Sequence, residues 1–164
     1  MEFGGAKTNC LTASVRSTEP GTFLVGPPNV VIGAQLVGYA AAINEDGTPN
    51  SRENPAAAGS IVSLYATGLG LTTPAVPDGS LTPIPIPIQN LKVEVTVPNP
   101  DMHNPNPAFA EVLYAGPAPL AIAGLSQINV RIPSSGGAWF TLRVYLTAFT
   151  SIGSNSAFVW TKVN

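Results

Sequence analysis

The sequence predicts an all-β domain, a two-sheet antiparallel β-sandwich of about seven to nine strands. Turn signals recur every ~8 to 15 residues, and the segments between them alternate apolar and polar side chains with a period of two. The 164 residues also include 16 glycines and 17 prolines, which disfavour long helices. Because each predicted sheet has one apolar face, packing two sheets face to face buries both. A closed barrel is the alternative architecture.

Composition and charge exclude several classes of function. Hydrophobic residues make up 45% of the chain, enough for a core, and charged residues only 10%, against roughly a quarter in an average domain. The formal net charge of -2 provides no basic surface for nucleic acid or for anionic lipid. No apolar run approaches the roughly 18 residues that a membrane-spanning helix needs. We therefore expect no nucleic-acid partner and no membrane span.

One domain is expected at this length. Residues 1–12 are predicted to be a flexible lead or a cloning remnant, and residues 13–164 a single β-sandwich domain. The first five residues have neither the basic start nor the apolar stretch of a signal peptide. The chain is therefore expected to be either cytoplasmic or a mature or excised piece of a longer protein.

The predicted strands lie between the turn signals. Residues 34–44 are rich in alanine but interrupted by Gly38, which favours a strand over the competing helix. Residues 91–97 alternate leucine and valine with polar residues, a pattern typical of a half-buried strand. The other strand candidates are residues 60–66, 111–115, 127–132, 139–149 and 157–163, and the turn signals include Pro27–Pro28, Asp46–Gly47 and residues 77–79.

A proline repeat occupies residues 83–88. Pro83, Pro85 and Pro87 each lack a backbone donor, so this run is incompatible with a central strand. It is instead typical of an extended, polyproline-like segment at a sheet edge, and we interpret it as a stiff crossover between the two sheets. The alternative is a ligand for a proline-recognising domain.

The residues needed for catalysis are sparse. Cys10 is the only cysteine, which excludes an intrachain disulfide and a cysteine-based zinc site, and His103 is the only histidine. Nucleophilic catalysis needs a base beside the nucleophile, and the chain contains no Gly-x-Ser-x-Gly elbow. The acidic residues are scattered, and several lie in turns. We therefore expect no enzyme; a small hydrolase would require a pocket joining His103 to a serine or a carboxylate.

One loop has the composition of a metal site. Asn44, Asp46, Thr48 and Asn50 offer oxygen ligands at alternating positions around Gly47, as calcium-binding loops do. The distal glutamate of such loops is missing, and Asp-Gly is also a strong signal for an ordinary hairpin turn. The plain turn is the favoured interpretation. Calcium is the one cofactor to consider, and otherwise none is expected.

The predicted strand at 139–149 has an aromatic row. At ~3.3 Å per residue, Trp139 and Tyr145 stand about 20 Å apart on one face, with Arg143 between them. Such a row can stack on sugar rings, with Arg143 serving hydroxyl groups, which would allow polysaccharide binding. Burial of the row beneath a loop such as the proline-rich segment 98–107 is the favoured interpretation, and cross-strand pairing with Phe158 or Trp160 is a third.

Four principal stretches occur together as one motif set: AAAINEDGT at 40–48, NPA at 54–56 with GSIVSLYATGLG at 59–70, VLYAGPAP at 112–119, and GLSQINVRIP at 124–133. In this order they resemble one family, the carboxy-terminal domain abundant in Solibacter and other Acidobacteria. PGTF at 20–23 matches the family's usual start and SNS at 154–156 its usual end. The resemblance covers residues 17–163. The sequence departs from the pattern in the proline-rich segment 98–107 and in the aromatic strand 139–149.

The resemblance implies an immunoglobulin-like β-sandwich at the end of a long exported protein. It implies an extracellular or cell-surface location, upstream domains of the parent protein as partners, and no catalytic residues. The leading prediction is therefore a non-catalytic spacer, docking or adhesion module. The alternative is a carbohydrate-binding module that uses the aromatic face of Trp139 and Tyr145. The terminal position also suggests a sorting or anchoring signal, which no residue of this chain supports.

Overall fold

The computed structural model describes residues 2–3, 5–7, 12, 17–32, 35–89, 92–97, 108–133, 141–148 and 156–162. Every regular element in these ranges is a β-strand, which confirms the all-β prediction, and none of them contains a helix able to cross a membrane. The strands are β1 (Glu2–Phe3), β2 (Ala6–Lys7), β3 (Gly21–Thr22), β4 (Leu24–Ile32), β5 (Gln35–Ala40), β6 (Ala42–Asn44), β7 (Ile61–Thr67), β8 (Thr72–Thr73), β9 (Ile88–Gln89), β10 (Val93–Val97), β11 (Ala108–Phe109), β12 (Val112–Pro117), β13 (Ser126–Arg131), β14 (Thr141–Ala148) and β15 (Ser156–Trp160).

Two large sheets contain most of these strands. In the described part of the chain, one sheet has six strands in the order β11-β10-β14-β15-β5-β4. The other has five: β12, β13 and β7 in that order, with β3 and β6 both on the far side of β7. The pairs are antiparallel except for β15 and β5, which run parallel. Two-residue strands form the separate pairs β1–β2, inside the predicted lead, and β8–β9.

The two large sheets share one hydrophobic core, as expected for a β-sandwich. Every second residue of β7 is buried, the period-two pattern of a strand with one face inward. The five-stranded sheet contributes Leu64 and Ile128 to the core, and the six-stranded sheet contributes Val95 and Val159. The apolar face of each sheet is therefore covered by the other sheet.

The chain changes sheets twice along one side of the sandwich. β3 and β4 are separated only by Phe23, and β5 and β6 only by Ala41, yet each pair is divided between the two sheets. At these corners Phe23 N donates to Tyr65 O at 2.9 Å, and Ala41 N donates to Phe23 O at 2.7 Å. These corners split long strands in two. With the two-residue pairs, they raise the number of strands above the seven to nine predicted.

Most predicted strands coincide with observed ones, including the one predicted at 34–44, where β5 (Gln35–Ala40) and β6 (Ala42–Asn44) lie. Pro27 and Pro28 lie within β4 and not between two strands, but the strand is irregular here, since Gly26 has a φ of +83°. β4 lies at the edge of its sheet, and its pairing with β5 is interrupted between Val25 and Val30. The two prolines therefore occupy a stretch where no neighbouring strand requires a backbone donor.

Residues 68–92 connect β7 in one sheet to β10 in the other, so the proline repeat at 83–88 lies in a crossover, as interpreted from the sequence. Within this crossover β8 pairs with β9. Leu81 forms an isolated bridge with Ile122, in the connection between β12 and β13. The crossover is thereby attached to the five-stranded sheet.

Candidate functional site

A cavity of about 400 Å³ lies at the end of the sandwich where β7 and β12 finish and β13 begins. We call it the end cavity. Its volume falls within the ~300–1,000 Å³ typical of small-molecule pockets. Three segments contribute its wall: the chain entering the sandwich at 17–19, the crossover, and the connection between β12 and β13. The lining residues that the argument uses are Thr18, Leu69, Val76, Asp78, Thr82 and Leu125.

Two buried threonines line the end cavity without a partner for their hydroxyl groups. Thr18 is 4% exposed and Thr82 only 1%. Neither Oγ1 atom has a hydrogen-bond partner in the protein. Leaving a buried polar group unpaired costs roughly 1–3 kcal/mol, so such groups in native proteins usually bond to water or to a ligand. Both oxygen atoms are themselves buried, however, so neither hydroxyl is open to a molecule inside the cavity.

Backbone hydrogen bonds hold the wall around Thr82 in place. Thr82 N donates to Ala121 O at 2.7 Å, and Ala123 N donates to Ser80 O at 2.8 Å. These bonds flank the bridge between Leu81 and Ile122 and join the crossover to the β12–β13 connection. The position of the Thr82 hydroxyl is therefore determined by main-chain contacts.

A glycine allows the entering chain to close the opposite wall. Gly68 has a φ of +73°, and a Cβ at this position would overlap the carbonyl oxygen of Glu19. Glu19 N in turn donates to Gly68 O at 2.9 Å. The segment containing Thr18 is thus hydrogen-bonded to the end of β7 at a separation that only glycine permits.

The ionisable side chains that line the end cavity are acidic. Glu19 and Asp78 line it and are exposed, and none of the described lining residues is basic. Gln89 adds a polar group, with its Nε2 donating to Leu69 O at 2.7 Å. The site therefore disfavours anionic ligands relative to neutral ones.

Large apolar side chains are exposed around the same end of the sandwich. Leu71, itself a lining residue, is 77% exposed, and Ile88, beside Gln89, is 73% exposed. We call the whole set, drawn from the crossover and the β12–β13 connection, the end patch: Leu71, Leu81, Ile84, Ile86, Ile88, Leu120 and Ile122. Exposed apolar residues concentrated in two linked segments are typical of an interaction surface.

Two of the predicted sugar-binding residues, Arg143 and Tyr145, lie on β14. Arg143 is the register partner of Phe158, and Tyr145 is the partner of Ser156 on one side and Thr96 on the other. The residues described by the structure do not include Trp139, so its part in this prediction stays a prediction.

An aromatic row that the sequence analysis did not identify as a unit lies beside them. Phe158 and Trp160 are half-buried and alternate with buried core residues of β15, so they belong to the outer face. The ring of Tyr39 on β5 stacks on that of Trp160, with centroids 4.6 Å apart and an interplanar angle of 12°. It also lies 6.0 Å from the Phe158 ring at 51°. The sequence analysis missed this row because it depends on the parallel pairing of β15 with β5, which no local pattern in the sequence indicates.

The separation of Tyr39 and Trp160 affects what their rings can bind. It is close to the ~4.8 Å spacing between neighbouring strands, which indicates that the two rings stand side by side on the sheet. Each ring therefore covers one face of the other. A sugar that stacks on this row must use a remaining face or the ring edges.

The four residues of the predicted calcium loop lie together, and their side chains bond to one another and to the protein backbone. Asp46 Oδ1 accepts hydrogen bonds from the Thr48 backbone N, at 3.0 Å, and from the Thr48 hydroxyl. The bond from that hydroxyl lowers the pKa of Asp46. Asn50 Nδ2 donates to Asn44 Oδ1 at 2.9 Å and to Trp160 O at 2.8 Å.

This geometry matches the plain-turn interpretation, since the loop oxygens have partners within the protein. The part of the chain that the structure describes contains no group of three or more His, Cys, Asp or Glu side chains suited to a metal. Calcium binding here stays a prediction.

Other candidates from the sequence lie outside the described residues. They are Cys10, His103 and the proline-rich segment 98–107. Conversely, no sequence motif marked the end cavity, because its threonines are 64 positions apart and carry no recognisable spacing. Comparison of the chain with family models, with curated proteins and with solved structures finds no match.

Proposed function

We propose that this chain is a non-catalytic β-sandwich module of a larger exported protein, and that it docks through the end patch against the domain that precedes it. The observation that carries the proposal is the exposure of seven large aliphatic side chains in the crossover and the β12–β13 connection, the two segments that also contribute to the wall of the end cavity. The resemblance to carboxy-terminal domains of exported proteins supports the location and the immunoglobulin-like connectivity.

The point of entry supports an upstream domain as the occupant. Residues 17–19 line the end cavity together with Leu71 of the end patch. A domain that precedes residues 1–16 is joined to Ser17 through them, and is therefore held near the patch at an effective concentration of roughly millimolar. At that concentration a modest apolar contact is enough for docking, and covering the patch removes its aliphatic side chains from water.

The direct test uses the chain together with its natural upstream sequence. We expect hydrogen exchange of residues 71–88 to be slower in the longer protein than in the isolated chain. A Leu71→Ser, Ile84→Ser, Ile88→Ser variant should abolish this protection. Phe109→Ser serves as the matched control. Phe109 is also exposed, but it lies before the start of β12, whereas the cavity is at the other end of that strand, where Pro117 lines it. Equal exchange in the long and short proteins would refute docking.

A carbohydrate-binding module is the second candidate, and the aromatic row of Tyr39, Phe158 and Trp160 favours it. Arg143 lies beside this row in the register, and its guanidinium group is suited to sugar hydroxyls. Binding to insoluble polysaccharides and to a glycan array, followed by tryptophan fluorescence, tests this candidate. Specific binding should be lost in Trp160→Ala or Trp139→Ala and retained in Phe109→Ala. An absence of binding to all the glycans would exclude it.

A further inference from the structure

We propose that the Asp78–Gly79 pair in the crossover is a site of spontaneous covalent modification, at which Asp78 converts to isoaspartate in the folded protein. The chain's second Asp-Gly pair, Asp46–Gly47, is protected by the fold. The proposal rests on the hydrogen bonds that the structure forms at one pair and not at the other. It does not depend on docking or on the aromatic row.

The conversion needs a carboxyl group and, next to it, an unhindered main-chain nitrogen, which glycine provides because it has no Cβ. Gly79 N attacks Cγ of Asp78, and one carboxyl oxygen leaves as water with the amide proton and the acid proton. The product is a cyclic succinimide, which a second water opens. Attack at Cγ restores aspartate, whereas attack at the main-chain carbonyl carbon of Asp78 breaks the original peptide bond. The chain then continues through Cβ and Cγ, which is isoaspartate, and no oxidant or reductant is consumed.

The two Asp-Gly pairs are matched in exposure and in backbone conformation. Asp46 and Asp78 are both exposed. Gly47 has a φ of +83° and Gly79 a φ of +77°, and at neither glycine does another group lie within 4 Å of the place where a Cβ would be. A difference in reactivity between the pairs must therefore come from the bonds that hold the reacting groups.

Hydrogen bonds occupy both reacting groups at Asp46–Gly47. Gly47 N donates to Asn44 O at 2.9 Å. Asp46 Oδ1 accepts from the Thr48 backbone N at 3.0 Å and from the Thr48 hydroxyl. The bond from that hydroxyl is the largest cause of the lowered pKa of Asp46, so less of the neutral carboxyl group, the form that loses water readily, is present at a given pH. Succinimide formation at this pair must first break these bonds.

Neither reacting group is held in this way at Asp78–Gly79. Among the residues that the structure describes, no hydrogen bond or ion pair involves the Asp78 carboxylate or Gly79 N. The bonds of this turn join the residues on either side: Ser80 N donates to Pro77 O at 3.2 Å, and Ser80 Oγ donates to the same oxygen at 2.6 Å. The carboxyl group and the nitrogen can therefore meet without the loss of a native hydrogen bond of their own.

The modification would change the wall of the end cavity, which Asp78 lines. Isoaspartate adds one carbon to the main chain between Pro77 and Gly79, inside the turn that the Ser80–Pro77 bonds close. The carboxylate moves onto the Cα carbon and keeps its charge. The shape of the turn therefore changes while the net charge of the chain does not.

Ageing of the folded chain at neutral pH and physiological temperature, followed by tryptic mapping, tests this inference. Trypsin cleaves after Arg16, Arg52 and Lys92, which places Asp46 in peptide 17–52 and Asp78 in peptide 53–92. Isoaspartate is quantified by enzymatic methylation with an isoaspartyl methyltransferase and located by electron-transfer fragmentation of peptides whose mass is unchanged. We expect it to form at position 78 at least about tenfold faster than at position 46, where several bonds must break first. No isoaspartate at position 78, or equal rates at the two positions, would overturn the proposal.

Two variants and an unfolded control identify the cause of the difference. Asp78→Glu keeps the charge but needs a larger ring that forms much more slowly, so the signal in peptide 53–92 should disappear. Thr48→Val removes the hydroxyl that bonds to Asp46 and should raise the rate at position 46 several-fold. In guanidinium chloride both pairs lose their native bonds, and the two rates should converge. A difference of the same size in the unfolded chain would show that the fold does not select the site, and would overturn the inference.

Discussion

At the scale of single residues, Asn50 replaces a missing strand. β15 pairs with β5 up to Phe158 and Tyr39, but β5 leaves the six-stranded sheet after Ala40. Trp160 therefore has no strand partner on that side. The side-chain amide of Asn50 accepts from Trp160 N at 2.8 Å and donates to Trp160 O at 2.8 Å, and Trp160 O also accepts from Ala56 N at 2.9 Å. A buried amide thus satisfies backbone groups that the change of sheet leaves exposed.

Asn50→Ala should lower the free energy of unfolding by about 2–4 kcal/mol, because Trp160 N and Asn44 Oδ1 both lose this partner in a buried setting. Urea denaturation measures the change. Arg52→Ala is the control: Arg52 lies in the same loop but is exposed, so its loss should cost less than about 0.5 kcal/mol. Similar small losses in both variants would show that the Asn50 amide is dispensable.

At the scale of elements, the contact between the entering chain and the end of β7 depends on Gly68. Two features restrict this position, a φ of +73° and the carbonyl oxygen of Glu19 in the space where a Cβ would lie. Gly79 shares only the first, with a φ of +77° and open space around it. Comparing alanine substitutions at the two glycines therefore separates the free-energy cost of the left-handed backbone from the cost of the steric overlap with Glu19.

Gly79→Ala should cost about 1–2 kcal/mol, the penalty for a left-handed non-glycine residue. Gly68→Ala should cost about 1–3 kcal/mol more, because residues 17–20 must shift to relieve the overlap. Thermal and urea unfolding of the two variants give the comparison. If the two losses are equal, the chain before β3 is free to move away from β7 at little cost.

At the scale of the whole molecule, the two sheets are expected to unfold as one cooperative unit. They share a single core and are linked by two uninterrupted corners at Phe23 and Ala41. A change in one sheet should therefore be detected by a probe in the other. Trp160 is such a probe, since it lies in the six-stranded sheet.

Ile128→Val, in the five-stranded sheet, should lower stability by about 0.5–1.5 kcal/mol. In a Trp139→Phe background, tryptophan fluorescence then reports Trp160, and its unfolding midpoint should fall as far as the midpoint from far-UV circular dichroism. Leu113→Ala, on the exposed face of β12, is the control and should shift both midpoints little. A fluorescence midpoint that stays fixed while the dichroism midpoint falls would show that the sheets unfold separately.

The sequence by itself determined the fold class and most of the strands. In β7, β10 and β13 a period-two alternation makes one face apolar, and burying that face is possible only in a sheet covered on one side. The turn at Asp46–Gly47 was equally predictable, because its geometry depends on neighbouring residues alone. At Pro27–Pro28 the turn signal coincides with an irregularity inside the edge strand β4 and not with a boundary between two strands.

Only the tertiary structure decided where the candidate sites lie. Tyr39 contacts Trp160 because a parallel pair joins distant segments, and Thr18 and Thr82 line the same cavity because the entering chain and the crossover both border it. Whether a threonine hydroxyl is paired depends on the groups that surround it after assembly. Local sequence patterns report the preferences of neighbouring residues, whereas a cavity and its unpaired hydroxyls arise from contacts between segments far apart in the chain.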